Sequence, residues 1–155
     1  MKNNHKPVML DEVKSFIPLD RRINVIDATF GSGGYSKVLL NEFEIDKLFA
    51  IDRDPISKIF AKELEKKHAN FYLINDKFSN IDRVTENSKY SDIKFDIIVF
   101  DLGISSNQID NPERGFSFQN DGPLDMSMGC SKKSAFEIVN NYQEKNLADI
   151  FFKLG

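Results

Sequence analysis

Nine residues decide the fold: Asp27-Ala28-Thr29-Phe30-Gly31-Ser32-Gly33-Gly34-Tyr35. They continue a β-branched segment that begins at Ile23, and they lead into residues 36–43, whose apolar side chains recur at helical spacing. Glycines between a strand and a helix let the backbone turn sharply and approach a ligand closely. The stretch therefore predicts a βα unit with a ligand-binding loop. The alternative is a glycine turn with only a structural role.

The same alternation of strand and helix patterns continues along the chain. Strands are predicted at residues 23–28, 48–52, 71–74 and 95–101, and helices at residues 36–43, 55–67 and 79–90. This order is typical of an α/β fold in which helices cover both faces of a parallel sheet. Residues 103–133 carry no periodicity, which predicts a structureless segment, and two short helical patterns close the chain.

The spacing of the glycines distinguishes between classes of ligand. The loop does not have the G-x-G-x-x-G pattern of dinucleotide sites, and it lacks the Lys-Ser/Thr ending of a phosphate-binding loop. A D-x-x-x-G-x-G-G pattern is more typical of S-adenosylmethionine sites. The spacing therefore favours a methyltransferase and disfavours a nicotinamide oxidoreductase.

An acidic residue follows at the distance that a nucleoside ligand requires. Asp52 ends the second predicted strand, 21 residues after Gly31. An acid about 20 residues beyond the glycines is placed to accept hydrogen bonds from both ribose hydroxyls. A helix N-cap is the alternative role, but Asp54, directly before Pro55, is the more natural cap. Asp52 is therefore predicted to bind the ribose.

A polar segment leaves the fourth predicted strand: Asp101-Leu102-Gly103-Ile104-Ser105-Ser106-Asn107-Gln108. Ligands of open α/β sheets bind at the carboxyl ends of the strands, and methyl transfer requires the nucleophile and the methyl group to be aligned. If the nucleophile is an exocyclic amine, an acceptor such as Asp101 can withdraw its N–H proton. The alternative is a loop held by its own Ser and Gln side chains.

Two aromatic residues in the following loop, Phe116 and Phe118, leave two roles open. They are suited to stack on nucleic-acid bases, or to anchor the loop by packing beneath the surface. The residues alone favour the second role slightly.

Composition and charge are those of a globular protein. Apolar residues make up 41% of the 155 residues, and the formal net charge of −3 provides no strong basic field for a nucleic acid. The single cysteine, Cys130, excludes an intrachain disulfide and favours a reducing compartment. We find no signal peptide, and no apolar run approaches the length of about 20 residues that a membrane span needs. His5 and His68 lie far apart in the sequence and have no neighbouring residues at the spacing of metal ligands. We therefore expect a soluble, cytoplasmic protein without a metal site.

A set of motif blocks extends over nearly the whole chain. Two of them, the glycine stretch and Ile51-Asp52-Arg53-Asp54-Pro55, indicate a methyltransferase of any kind. The others are His5-Lys6-Pro7-Val8-Met9-Leu10, Asp101-Leu102-Gly103-Ile104-Ser105-Ser106, Gln108-Ile109-Asp110, Arg114-Gly115-Phe116-Ser117-Phe118 and Asp121-Gly122-Pro123-Leu124-Asp125-Met126. With these blocks the chain resembles the bacterial 16S rRNA cytosine-N4 methyltransferases of the MraW/RsmH type.

The resemblance implies an activity, a cofactor and a partner. The activity is S-adenosylmethionine-dependent N4-methylation of one cytosine in the decoding region of 16S rRNA, within the small ribosomal subunit. The implied cofactor contacts are Gly33, Gly34, Tyr35, Asp52, Phe78, Asp101 and Gln108. Phe78 also fits by its position after the third predicted strand, where its ring can cover an adenine. Asp101 is the candidate catalytic residue.

Two residues depart from the family pattern. Tyr35 stands where many members carry His, and Ser127 stands where the family usually has Arg. A contact between the backbone of residue 35 and the cofactor would not be affected by the replacement of His with Tyr. The second change removes a positive group from a substrate or loop contact.

The length of the chain is a third departure, since family members continue for about as long again. We therefore expect a truncated Rossmann-like fold. Residues 1–105 are expected to form the amino-terminal part of the methyltransferase domain. Residues 106–155 are expected to form the loop and the start of an inserted helical substrate-recognition domain. Four parallel strands in the order 3-2-1-4 would leave the fourth with an unpaired apolar edge, which a homodimer or the missing carboxyl-terminal half would cover. The alternative function is an inactive remnant that at most binds S-adenosylmethionine or a partner.

Overall fold

Within residues 7–86, 90–129 and 133–155, which the computed structural model describes, the chain forms four strands. They are β1 (Ile23–Asp27), β2 (Ile45–Ile51), β3 (Phe71–Ile74) and β4 (Ile97–Val99). All neighbouring strands are parallel, and their order is β3-β2-β1-β4. The predicted α/β fold and strand order are confirmed. His5 and Cys130 lie outside the described residues.

The helices fall into two units of the chain, Met1–Gly103 and Ile104–Gly155. The first unit contains α1 (Leu10–Ser15), α2 (Gly34–Glu42), α3 (Ser57–Lys67) and α4 (Ile81–Glu86). The second contains α5 (Ser106–Ile109), α6 (Ala135–Asn141) and α7 (Glu144–Leu154). Along the described part of the chain, no helix combines the length and the apolar character that crossing a bilayer requires.

Two clusters of apolar side chains cover the two faces of the sheet. One packs α2 and α3 against the sheet and includes Val25, Leu39, Leu48, Ala50 and Leu64. The other packs α4 and the segment after it and includes Ile26, Phe49, Ile51, Tyr72 and Ile81. Neighbours such as Val25 and Ile26 fall into different clusters because successive side chains of a strand point to opposite faces. Helices therefore cover both faces, as the sequence predicts.

Several predicted boundaries are wrong. The strand predicted at residues 95–101 pairs only over Ile97–Val99, because its neighbour β1 ends at Asp27 and turns away into the glycine loop. The helix predicted at residues 55–67 begins at Ser57. The helix predicted at residues 79–90 begins with a 3-10 turn, Phe78–Asn80, and continues as α4 over Ile81–Glu86. The rest of the predicted helix includes residues 87–89, which lie outside the described residues. The sequence patterns do not predict α1.

The outer edge of the sheet is apolar at β4. Ile98 and Phe100 expose 48% and 49% of their surface. Among the described residues, no further strand pairs with β4 on its free side. Within the described residues, β4 is therefore an edge strand of the sheet, and exposed apolar side chains lie on it and directly after it.

The segment predicted to be structureless, residues 103–133, contains hydrogen-bonded turns within residues 104–129, the part of it that the structure describes in the second unit. A 3-10 turn, Pro112–Arg114, is followed by a chain that folds back, so that the N–H of Met126 donates to the carbonyl of Arg114 at 3.1 Å. The fold-back leaves no space at Gly115, where a Cβ would lie 2.2 Å from the carbonyl oxygen of Pro123. The guanidinium of Arg114 donates to the carbonyl of Ser127 at 2.9 Å. Turn chemistry, which leaves no periodic trace in a sequence, orders this loop.

The two aromatic residues of this loop have different environments. Phe116 is half-buried, and the guanidinium carbon of Arg114 lies 5.7 Å from the centre of its ring. The side chain of Phe118 is fully exposed. Packing explains Phe116, whereas the predicted stacking on a base stays open for Phe118.

Candidate functional site

The glycine-rich loop connects the carboxyl end of β1 to α2. Gly31 and Gly33 have φ angles of 55° and 81°, in the left-handed region that favours glycine. A Cβ at Gly33 would lie 2.8 Å from the ring of Phe30, which is buried. The loop therefore needs Gly33 for its own conformation. Gly33 is the N-cap of α2 and Gly34 is its first residue, and a Cβ at Gly34 would lie 2.7 Å from the ring of Pro7.

Asp52 follows the end of β2 and faces the glycine loop. Its Oδ2 accepts the N–H of Gly31 at 2.6 Å, and its Oδ1 accepts the N–H of Asp54 at 2.8 Å. Burial raises the pKa of Asp52, and these two N–H groups act in the opposite direction. Each carboxylate oxygen offers about two lone-pair sites, so each retains one beyond these bonds. The arrangement fixes the carboxylate and leaves it able to accept two further hydroxyl groups.

Asp54 forms a turn before α3 and is not its N-cap. Its Oδ1 accepts the N–H of Ile56 at 3.2 Å, and its carbonyl accepts the N–H of Ser57 at 3.1 Å. The N-cap position is Ile56. The prediction that Asp54 is the N-cap of α3 is therefore wrong. The N-cap lies two residues later, because Pro55 and Ile56 belong to the turn.

Asp27, at the carboxyl end of β1, is a buried carboxylate that accepts hydrogen bonds from the glycine loop and from α2. Its Oδ2 accepts the hydroxyl of Ser36 in α2 at 2.6 Å, and its Oδ1 accepts the N–H of Thr29 at 3.3 Å. Burial is the largest influence on its pKa and raises it to about 6. A single side chain thus ties together β1, the loop and α2.

We expect Asp27 to make the stability of the protein fall as the pH rises from about 4 to about 6. Its pKa is about 6 in the folded protein against 3.8 ordinarily, so in this range only the folded state retains the proton. The free energy of unfolding then falls by about 1.4 kcal/mol per pH unit, or about 3 kcal/mol in total. Urea denaturation of the wild type and of the Asp27→Asn variant, at pH 4 and pH 7, measures this change. A difference between the two proteins that does not vary with pH would contradict the assignment.

Tyr35 connects the amino-terminal segment to α2. Its side chain is buried with Leu10 and Val99, and its hydroxyl donates a hydrogen bond to the carbonyl of Val8. Burial, and then the charge of Asp101, raise the pKa of Tyr35. The departure from His therefore has a structural role here. A cofactor contact of Tyr35 would have to come from its backbone.

Phe78 and Phe100 form an aromatic pair. Phe78 follows β3 and Phe100 follows β4, the two outermost strands of the sheet. Their ring centres lie 5.7 Å apart at an interplanar angle of 87°. Both rings are about half exposed, with 44% and 49% of their surfaces accessible. The pair offers an accessible apolar surface that a flat ring can contact.

Asp101 has an exposed side chain just beyond β4. Its backbone N–H donates to the hydroxyl oxygen of Thr29, in the glycine loop, at 2.7 Å. Asp27, Asp52 and Asp101 therefore lie at or just beyond the carboxyl ends of three strands, β1, β2 and β4, that are neighbours in the sheet. This is the edge at which open α/β sheets bind ligands.

Comparison with known proteins shows to which family this arrangement belongs. Residues 2–155 match the model of the MraW methylase family. The chain belongs to this family. It is 47% identical to "Ribosomal RNA small subunit methyltransferase H" of Zymomonas mobilis, over 97% of this chain and 45% of the relative. Proteins of the same name from Rickettsia bellii and Prochlorococcus marinus are 44% and 41% identical, over 49% and 50% of their own lengths.

The chain thus spans about half the length of the curated MraW-family relatives that it matches. The parallel sheet with helices on both faces is the Rossmann-like fold expected of a methyltransferase. The match over residues 2–155 confirms the family resemblance that the motif blocks indicate.

Gln108, the remaining predicted cofactor contact of this MraW-family chain, lies in the second unit. It is buried, and its side-chain oxygen accepts the N–H of Ser105 at 3.0 Å in a capping box at the start of α5. This bond caps the start of α5 within its own unit. A contact between Gln108 and a cofactor stays a prediction.

Three residues of the candidate site are not predicted as site residues from the sequence: Asp27, Thr29 and Phe100. Asp27 and Thr29 lie within the glycine stretch, and their position at the end of a predicted strand is the sequence feature that could have indicated a role in the site. The sequence pattern predicts Phe100 to be part of a buried strand, and nothing in the sequence indicates a role for it in the site. Within the described residues, no group of three or more His, Cys, Asp or Glu side chains is placed to hold a metal ion.

Proposed function

We propose that this protein transfers a methyl group from S-adenosylmethionine to the exocyclic amine of a cytosine in the decoding region of 16S rRNA. The observation that carries the proposal is the Asp52 carboxylate, which two backbone N–H groups hold beside the glycine loop. The family and the relatives named rRNA small subunit methyltransferase support the reaction and the class of substrate. The motif blocks of the sequence support the choice of base and its position.

The charge of the site favours S-adenosylmethionine over a dinucleotide. Three carboxylates, Asp27, Asp52 and Asp101, lie at the carboxyl edge of neighbouring strands. A ligand with a sulfonium and an ammonium group is attracted to such an edge, whereas the two phosphates of a nicotinamide dinucleotide are repelled. The electrostatics therefore agree with the glycine spacing.

The residues present suit the parts of this cofactor. Asp52 would accept the two ribose hydroxyls with its remaining lone pairs, and backbone groups of Gly33, Gly34 and Tyr35 would contact the chain that bears the sulfonium. Phe78 is one of an exposed aromatic pair and would cover the adenine. Gln108 is proposed as a further contact through the second unit. S-Adenosylmethionine supplies an electrophilic methyl group and leaves as a neutral thioether.

Asp101 is proposed as the catalytic residue. The lone pair of a cytosine amine is delocalised into the ring, so the free amine is a weak nucleophile. A carboxylate that accepts one N–H of the amine increases the electron density on nitrogen and takes up the proton that the amine loses on methylation. Two observations support this proposal: the carboxylate of Asp101 is exposed, and its backbone N–H is bonded to the hydroxyl oxygen of Thr29.

The proposed partner is 16S rRNA within the small ribosomal subunit, and the proposed compartment is the cytoplasm. The net charge of −3 supplies little general attraction to RNA, so recognition would depend on local contacts. A homodimer, or the carboxyl-terminal half of a longer protein, would cover the apolar edge at β4.

A methyl-transfer assay tests the proposal. The chain is incubated with S-adenosylmethionine carrying a labelled methyl group and with small ribosomal subunits that lack this modification. We expect label in the 16S rRNA, on N4 of one cytosine. Cofactor binding without transfer would instead support the second candidate, an inactive remnant that at most binds S-adenosylmethionine or a partner.

A further inference from the structure

Thr29 connects the two halves of the site. Its hydroxyl oxygen accepts the N–H of Asp101 at 2.7 Å, across 72 residues of sequence. The N–H of Thr29 in turn donates to the buried carboxylate of Asp27. We propose that Thr29 is a positioning residue: its hydroxyl sets the backbone of Asp101 against the glycine loop. The proposal rests on the function proposed for Asp101.

The position of Thr29 in the sheet explains why a side chain is needed here. The ladder between β1 and β4 continues to Ala28, whose N–H donates to the carbonyl of Val99 at 2.9 Å. In a longer parallel ladder, a β1 carbonyl would accept the N–H of Asp101. The chain instead leaves for the glycine loop, and the Thr29 hydroxyl replaces that carbonyl as the acceptor.

The bond fixes two groups that must act together. The glycine loop and Asp52 form one side of the site, through the bond from Gly31 to Asp52. Asp101 forms the other side, and beyond Val99 it has left the paired part of β4. A small displacement of a catalytic group from the reacting atoms lowers the rate strongly. The Thr29 hydroxyl therefore affects the rate of transfer more than the affinity for the cofactor.

The test compares Thr29→Val, which has the same shape without the hydroxyl, with Thr29→Ser, which retains it. For Thr29→Val we expect a fall in kcat of about tenfold, with a dissociation constant for S-adenosylmethionine within about threefold of the wild type. We expect the Asp101 amide proton to shift in its resonance and to exchange faster with solvent. Thr29→Ser is expected to restore the kcat and the amide signal.

Wild-type values of kcat and of Asp101 amide exchange in Thr29→Val would overturn the proposal. Equal defects in Thr29→Ser and Thr29→Val would also overturn it, because the methyl group and not the hydroxyl would then matter. A wild-type chain that transfers no methyl group would overturn the proposed function instead. In that case the amide proton of Asp101 in the two variants still decides whether the Thr29 hydroxyl holds it.

Discussion

Replacing Asp101 with asparagine is expected to slow methyl transfer to 16S rRNA by about a thousandfold, since proton transfer to a positioned group contributes about 10²–10⁴-fold. An amide cannot take up the proton of the amine. The backbone N–H that donates to Thr29 is unchanged in the variant, and the side chain is exposed, so the fold should be unaffected. The initial rate of label incorporation at saturating S-adenosylmethionine measures the effect.

The matched control is Asp92→Asn, which removes an exposed carboxylate from the loop before β4. We expect this variant to retain the wild-type rate. Affinity of the Asp101→Asn variant for S-adenosylmethionine should remain within about tenfold of the wild type, because Asp52 still holds the ribose. An Asp101→Asn variant that is as fast as the wild type would remove Asp101 from the catalytic role.

Replacing Asp52 with alanine is expected to weaken the binding of S-adenosylmethionine by at least about a hundredfold. Two hydrogen bonds from ribose hydroxyls to a charged group are lost, at about 1.5–3 kcal/mol each, and about 1.4 kcal/mol corresponds to a tenfold change in affinity. Isothermal titration calorimetry measures the dissociation constant directly.

Asp52→Ala also removes the acceptor of the Gly31 and Asp54 N–H groups, so its thermal unfolding must be measured alongside. Asp52→Asn retains one acceptor oxygen and nearly the same shape, and we expect its affinity to lie between those of the wild type and Asp52→Ala. Asp46→Ala is the control, since Asp46 is an exposed carboxylate near the amino end of the same strand. Unchanged affinity in a folded Asp52→Ala variant would refute the ribose contact.

The fold was predictable because its signals are local. The apolar strands alternate with helices of clear period, and the glycine stretch marks the turn from β1 into α2. The spacing from Gly31 to Asp52 also predicted a real proximity, since the N–H of Gly31 donates to the Asp52 carboxylate. Such patterns depend only on neighbours in the chain and on the geometry of a βα unit.

The remaining features depend on contacts between distant parts of the chain. β4 pairs only as far as Val99 because its neighbour β1 turns away after Asp27. The burial of Asp27 depends on residues from other parts of the chain that pack around it. The bond between Thr29 and Asp101, and the contact of Phe78 with Phe100, join segments that follow different strands. No pattern within one segment contains this information.

We propose that the carboxyl edge of β1 and β2 binds S-adenosylmethionine. Calorimetric titration of the 155-residue chain with S-adenosylmethionine, and in parallel with a nicotinamide dinucleotide, tests it most directly. We expect one molecule of S-adenosylmethionine to bind per chain and the dinucleotide to give no binding heat. A folded chain that binds the dinucleotide instead, or neither ligand, would contradict the claim.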